Sequence, residues 1–488
     1  MKPLLLAIFI AVLLSLSTAW AEQHEDYNAA HAAYKRGDYT KALKLYRLYE
    51  SQGNTDYRNA IGLMYQMGKG VKQDYGQALV WFKKAAAQGD PDAQLNLGDL
   101  YNKGKGVAQN DTEALKWWRL AAVQRVAIAQ FNLGVMYANG HGVKQDYIEA
   151  VKWYRLAATQ GYAKAQYNLG LIYYKGEGVA QDYSAALSWY RQAATQGYAK
   201  AQYNLALMHD NGQGVKQDYI EAVKWYRLAA VQGYADAQLN LGVMYNEGKG
   251  VAQDYAEAVK LYQSAAVQRV AIAQYNLGVM YDKGHGVTQD YTEAVKWYRL
   301  AAAQNYADAQ LNLGDLHYEG KGVSQNYGEA LRWYRLAAAQ GDRSAQYSLG
   351  FMYEYGHGIT QDHSEAAKWY RLAATQGDAD AQLNLGDLYF EGKGVAQEYA
   401  EAVKWYRLAA TQGDVTAQNN LGAMYDNGHG VTQDYILAYM WFNLGGALGD
   451  TNAIENRDLV AKKMSPQQIS KAQKMTSDCQ QKKFIGCD

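Results

Sequence analysis

Four histidines, His141, His285, His357 and His429, occupy the middle of a recurrent Gly-x-Gly turn. Histidine is the commonest metal ligand and the side chain that exchanges a proton nearest neutral pH. A metal centre, however, needs ligands that converge on one ion. Equivalent places in successive helical units stand about 10 Å apart. These histidines are never in adjacent units, because Lys321 and Lys393 separate the last three. The spacing therefore predicts no shared ion, and the histidines read as copies of a tolerant turn position. Cys479 and Cys487 are the only cysteines. They lack the CxxC spacing of a redox centre, and in an oxidising compartment they are expected to form a disulfide that pins the C-terminal tail. No HExxH, GxSxG, Walker loop or dinucleotide fingerprint occurs. The Gly-x-Gly turns lack a third glycine and follow no strand. The chain is expected to be non-enzymatic, with no metal and no cofactor.

Asparagine supplies the best binding candidate. Asn96, Asn132, Asn168, Asn204, Asn240, Asn276, Asn312, Asn384 and Asn420 recur in one register. A carboxamide both donates and accepts hydrogen bonds, so a row of them suits a peptide backbone. The competing reading is that each asparagine bonds the neighbouring unit, and near-identity along the column favours it, since specificity needs variation. Variation is found beside the column, at Asp99, Val135, Leu171, Leu207, Val243, Val279, Asp315, Phe351, Asp387 and Ala423. Basic rows such as Lys152, Arg155, Lys224 and Arg227 read as solvated faces balanced by acids such as Glu149.

The elements that must position these residues follow from a strict period. The glycine of the NLG segment falls at Gly62, Gly98, Gly134, Gly170, Gly242, Gly278, Gly314, Gly350, Gly386 and Gly422, in steps of 36 with Ala206 in the place passed over. A tryptophan column from Trp81 to Trp441 keeps the same register, with Leu261 in one place. Within one unit, Ala93, Leu97, Leu100 and Tyr101 mark one face of a first helix. The mid-helix glycine costs about 1 kcal/mol relative to alanine, so another helix is expected to approach closely there. Gly-x-Gly-Val stops this helix. Asp146 with Glu149, Asp218 with Glu221, Asp254 with Glu257 and Asp290 with Glu293 have capping-box spacing for a second helix, on which Ala150, Trp153, Ala157 and Ala158 line one face. That helix ends at Gly161 and its equivalents, where Arg125, Arg269 and Asn305 break the rule. Each pair has too much apolar surface to fold alone and must stack on its neighbours.

The sequence thus divides into a signal peptide at 1–21, an N-terminal capping helix pair at 22–55, eleven 36-residue units at 56–451, and a C-terminal capping helix and tail at 452–488. The leader has Lys2, an apolar run over Leu4–Leu16 and Ala19-Trp20-Ala21 before the cut. At about thirteen residues the run is short of the ~20 that span a bilayer, and no later segment approaches that length. The mature chain is expected in the periplasm or secreted, with no stable membrane span after cleavage. Lys plus Arg and Asp plus Glu are 48 each. This balance gives no bulk attraction to nucleic acid.

The segment AQYNLGLIYYKGEGVAQDYSAALSWYRQAATQG, residues 165–197, resembles the Sel-one-like repeat (SLR), a relative of the tetratricopeptide repeat. The resemblance covers 56–451; residues 26–52 look more like an ordinary tetratricopeptide unit. It implies an all-α, right-handed α/α superhelical solenoid of antiparallel helix pairs whose first helices line a concave wall. It also implies an adaptor that assembles complexes through a protein or peptide partner. Exported bacterial members are similar in being linked to signalling, envelope regulation and host interaction. One branch with a disulfide in each repeat is associated with penicillin binding or β-lactamase activity. This chain lacks those cysteines, which leaves a cell-wall-ligand binder or such an enzyme as the alternative, with polysaccharide or peptidoglycan as the lesser partner class.

Overall fold

A computed structural model describes residues 28–50, 55–484 and 486–487. The leader expected at 1–21 lies outside the described residues. What is described is helical throughout, with no strand, and consecutive helices pack as antiparallel pairs in tandem. Two compact units are distinguished. The first extends to Ala237 and includes Lys249–Val251; the second holds Gln238–Gly248 and Ala252 onward. In the first, helices at 28–35 and Tyr39–Glu50 precede pairs such as Ala163–Lys175 with Tyr183–Thr195. In the second, pairs such as Ala307–Glu319 with Tyr327–Ala339 lead to Thr451–Ala461 and Pro466–Gln481.

The repeat at 343–378 shows why the elements form. Asp342 caps the first helix, Arg343–Tyr355, by accepting from the Ala345 N–H at 2.7 Å. Gly356 ends it in the left-handed region at φ 73°. Gly358, also at positive φ, is needed for a second reason: a Cβ there would stand 2.6 Å from Tyr327 Cβ, at the start of the preceding repeat's second helix. Asp362 then caps the helix His363–Thr375 through the Ser364 and Glu365 amides. The mid-helix glycine, Gly350, lies under the Tyr370 ring, whose Cδ1 would be 2.5 Å from an added Cβ. The close approach is thus made by an aromatic ring of the paired helix, at the cost of one glycine in the helix interior.

That ring corrects one expectation. The residue sealed against the glycine is the tyrosine after the tryptophan column: Tyr190, Tyr262, Tyr298, Tyr370 and Tyr406 are almost wholly buried, whereas Trp153 is only half-buried. The expected capping boxes also form only in part. Asp146, Asp218, Asp254 and Asp290 cap their helices, but Glu149, Glu221, Glu257 and Glu293 pair with the lysine three residues on instead of reaching back. The reciprocal box does form at Ser465 and Gln468, with Pro466 at the first turn. Arg125, Arg269 and Asn305 adopt the left-handed conformation of the glycines they replace, at φ 68°, 67° and 65°. At the C-terminus the capping helix has a companion, Thr451–Ala461, which continues the alternation. Cys479 and Cys487 are joined by a disulfide with Cα atoms 5.1 Å apart, and Phe484 in the loop between them packs into the last core.

Candidate functional site

The first helices carry a series of open recesses between neighbouring repeats. In the second unit one recess of about 410 Å³ is lined by Asp282, Asn312, Asp315 and Glu319. Another, of about 290 Å³, is lined by Asn246, Tyr262, Asn276 and His285, and one of about 340 Å³ by Asp387, Phe390, Tyr406 and Asn420. In the first unit a recess of about 350 Å³ lies among Lys69, Tyr75, Asp99 and Lys105.

All nine asparagines of the column are half-buried. Seven of them meet groups of the repeat before them. Asn96 donates to Asn59 Oδ1 at 3.1 Å, Asn132 to Asp99 Oδ1 at 3.5 Å and Asn420 to Asp387 Oδ1 at 3.3 Å. Asn168, Asn312 and Asn384 face the phenols of Tyr154, Tyr298 and Tyr370 and favour their ionised forms, against the larger, opposite effect of burial. Burial wins, and the Tyr154 phenol is pushed up to about 12. These buried phenols therefore stay protonated and act as donors: Tyr298 to Asp282 at 3.2 Å, Tyr334 to Asp315 at 2.8 Å, Tyr370 to Glu354 at 2.5 Å and Tyr406 to Asp387 at 2.7 Å. The result is a repeated amide–phenol–carboxylate array rather than a nucleophile beside a base. Asp387 is pushed up to about 6, chiefly by burial; the Tyr406 hydroxyl opposes this and Glu391, Glu354 and Asp414 add to it. Asp315 is raised for the same leading reason.

The structure does not bring the turn histidines together, and among the described residues no three potential ligands cluster. It gives their position a definite role, however. His285, His357 and His429 stack on Tyr255, Tyr327 and Tyr399 of the preceding repeat, with centroids 4.7, 5.1 and 4.7 Å apart. Lys69, Lys105 and Lys321 occupy the same turn place over Tyr39, Tyr75 and Tyr291. A flat ring or a cation serves equally over a tyrosine face, which is why both recur there.

Sequence reading missed the glutamines. Gln130, Gln166, Gln202 and Gln274 are buried, and each donates to an alanine carbonyl eight residues earlier, for example Gln274 to Ala266 at 3.0 Å. Each also accepts from a glutamine 30 residues later, as from Gln160, Gln196, Gln232 and Gln304. The signal was a second recurrent amide, in the AQ and TQG segments. Because glutamine is common on solvated helix faces, its burial was not evident from residue type.

Tandem helix pairs locked by such ladders define a helical-repeat solenoid with a recessed face. The chain belongs to the Sel1 repeat family: that family matches residues 31–54, 57–90, 91–124, 127–162, 163–198, 199–234, 235–268, 271–306, 307–342, 343–378, 379–414 and 415–450. Among solved structures it is similar to a protective antigen present in uropathogenic Escherichia coli strains displaying an SLR fold. Identity is 37%, coverage is 91% of this chain and 96% of that one, and the TM-score is 0.85. It is also similar to a Sel1 repeat protein from Oxalobacter formigenes, at 35% identity over 62% of this chain and 88% of that one, with a TM-score of 0.52. No curated protein matches. Among the described residues no helix is long and apolar enough to cross a membrane.

Proposed function

We propose that this chain is an exported, non-enzymatic scaffold that holds a protein or peptide segment along the recessed face of its first helices, in the bacterial envelope or outside the cell. The observation that carries the reading is the series of recesses. The asparagine amides and the phenols behind them recur in a fixed register, while the residue after the repeat glycine varies. Invariant polar groups suit a peptide backbone, which is the same in every partner; variable neighbours such as Asp315, Phe351 and Ala423 suit selection of side chains. The leader at 1–21 supports export, as does similarity to a protein that is itself a protective antigen.

Crosslinking in cells through a photoreactive residue in place of Asn312, followed by identification of the captured species, tests the reading. A stoichiometric protein is the expected product. Capture of peptidoglycan fragments alone, or of nothing, would refute it. Cell fractionation with N-terminal sequencing tests export, the expected mature terminus being Glu22.

A further inference from the structure

We propose that the first-helix face of the repeat at 343–378 is a docking pocket for an arginine side chain of the protein partner, held between the rings of Phe351 and Tyr355 and the carboxylates of Glu354 and Asp387. This inference deepens the scaffold reading and rests on it.

Three independent observations meet at this place. First, Phe351 and Tyr355 are four residues apart on one helix and so share a face. Their ring centroids are 4.6 Å apart, and Tyr355 remains 54% exposed. Tyr355 is the one tyrosine among the exposed large apolar side chains of the described residues, and the half-buried Phe351 ring lies beside it. No other repeat places aromatics at both positions. The corresponding pairs include Asp99 with Lys103, Leu171 with Lys175, Val279 with Lys283, Asp315 with Glu319 and Asp387 with Glu391.

Second, the rings are backed by packed neighbours. His357 lies 5.8 Å from Phe351 and 6.1 Å from Tyr355, and is stacked on Tyr327. The Tyr318 hydroxyl fixes His357 through its Nδ1 at 2.8 Å. A recess of about 210 Å³ opens beside Phe351, lined by Tyr318, Tyr347 and Ser348. A preorganised aromatic wall binds without a large ordering cost.

Third, the neighbouring carboxylates outnumber the cations: the one whose charge reaches Glu354 is Lys393, which is held by Glu391. Glu354 accepts from the Tyr370 hydroxyl, and Asp387 from Tyr406 and Asn420, all neutral donors. Neither forms an ion pair among the described residues. The anions acting on the Tyr355 phenol are Glu354, Asp387 and Glu391, against a single cation, Lys393. Lys393 is itself paired with Glu391 at 2.6 Å. The place therefore offers π-faces and an excess of negative charge together. A guanidinium answers both demands: it stacks on aromatic faces and bonds a carboxylate through two parallel N–H groups. An ammonium is a more strongly hydrated point charge and satisfies only part of this arrangement.

The test uses the full mature chain and a fluorescein-labelled glycine–serine peptide carrying three arginines at alternate positions, read by fluorescence anisotropy. Phe351→Leu and Tyr355→Lys are the diagnostic variants, because leucine and lysine already occupy these places in other repeats and should leave folding intact; a thermal melt checks that. Each variant is expected to weaken binding about 10-fold, the arginine peptide is expected to bind more tightly than its lysine counterpart, and Ile148→Leu, at an exposed place on a second helix, should change nothing. Equal affinity for the lysine peptide, unchanged binding by the variants, or no binding at about 1 mM peptide would overturn the proposal. So would self-association of the full chain that the same variants abolish, which would assign the pocket to a second copy. If the partner crosslinked in cells is still captured by the double variant, the pocket assignment fails while the scaffold reading stands. If the wild-type chain captures no protein, the scaffold reading itself fails.

Discussion

At the scale of single residues, the array exposes its own exceptions. One first-helix position reads Tyr101, Tyr137, Tyr173, His209, Tyr245, Tyr281, His317, Tyr353, Tyr389 and Tyr425. Where tyrosine stands, its hydroxyl often accepts from an arginine 18 residues earlier, as Tyr137 from Arg119 and Tyr173 from Arg155, both at 2.6 Å. At His209 and His317 the rings are 5% and 7% exposed and neither nitrogen of either ring has a hydrogen-bond partner. Burial lowers both below the usual histidine range. Arg191 and Arg299 lower them further, while Glu221 and Asp218 oppose the shift at His209 and Glu329 opposes it at His317. A base whose folded pKa is depressed binds fewer protons folded than unfolded, so its neutral form contributes full stability above about 6.5 and loses it as pH falls through that value towards the folded pKa. Asp387 and Asp315, raised by burial, act in the opposite sense, so the check is a comparison: in thermal melts from pH 7.5 to 5 the wild-type chain should lose more stability than the His209→Tyr, His317→Tyr double variant. An unchanged slope in the double variant would refute the assignment. Arg125 and Arg269 are exceptions of another kind. With φ near 68° they bear left-handed strain, so Arg125→Gly should stabilise by about 1 kcal/mol, measured by urea denaturation.

At the scale of the element, the helix pairs were legible in the sequence because their punctuation is chemical. Glycine at positive φ, aspartate before the second helix and Pro466 at a first turn each have one structural meaning. The asparagine column was legible as a column, but not which groups it faces: that depends on tyrosine rather than tryptophan sealing the mid-helix glycine, and the two residues are adjacent in sequence. The acids below those phenols were visible only as variation. The glutamine ladder was hidden for the reason already given, and it makes a prediction at this scale. Gln418 is wholly buried and donates to Ala410 at 3.1 Å, but its Oε1 has no partner. Thirty residues on, where other repeats have glutamine, stands Leu448, which is 54% exposed. Its backbone, at φ −95° and ψ 4°, resembles that of Gln376 at φ −87° and ψ 4°. Leu448→Gln should supply the missing donor and stabilise by roughly 0.5–1.5 kcal/mol. Gln274→Leu, which strips a ladder member of both its bonds, should destabilise by about 1–3 kcal/mol. Paired urea denaturation curves check the two signs.

At the scale of the whole molecule, a repeat array is stabilised by the sum of its units and the contacts between neighbours, so what is removed matters more than how much. Deleting residues 271–306 from the second unit joins Val270 to Ala307 and brings Gln310 to the place Gln274 held, eight residues after Ala266. Every ladder, cap and glycine–ring contact then finds an equivalent partner. The shortened chain should stay helical and melt cooperatively, with ellipticity reduced only in proportion. Deleting the second helix alone, Tyr291–Ala302, is a smaller loss in length but should be far more damaging. It removes Tyr298 from above Gly278 and uncovers the buried Leu277, Met280 and Leu313. Far-UV circular dichroism melts distinguish the two. The same logic separates recognition from simple length. Deletion of 343–378 removes as many residues as deletion of 271–306 and equally preserves register, but takes away Phe351, Tyr355 and Glu354. A spacer would respond to both deletions alike. A recognition face should lose its partner with 343–378 and keep it with 271–306, and equal partner capture by the two shortened chains would count against recognition at this repeat.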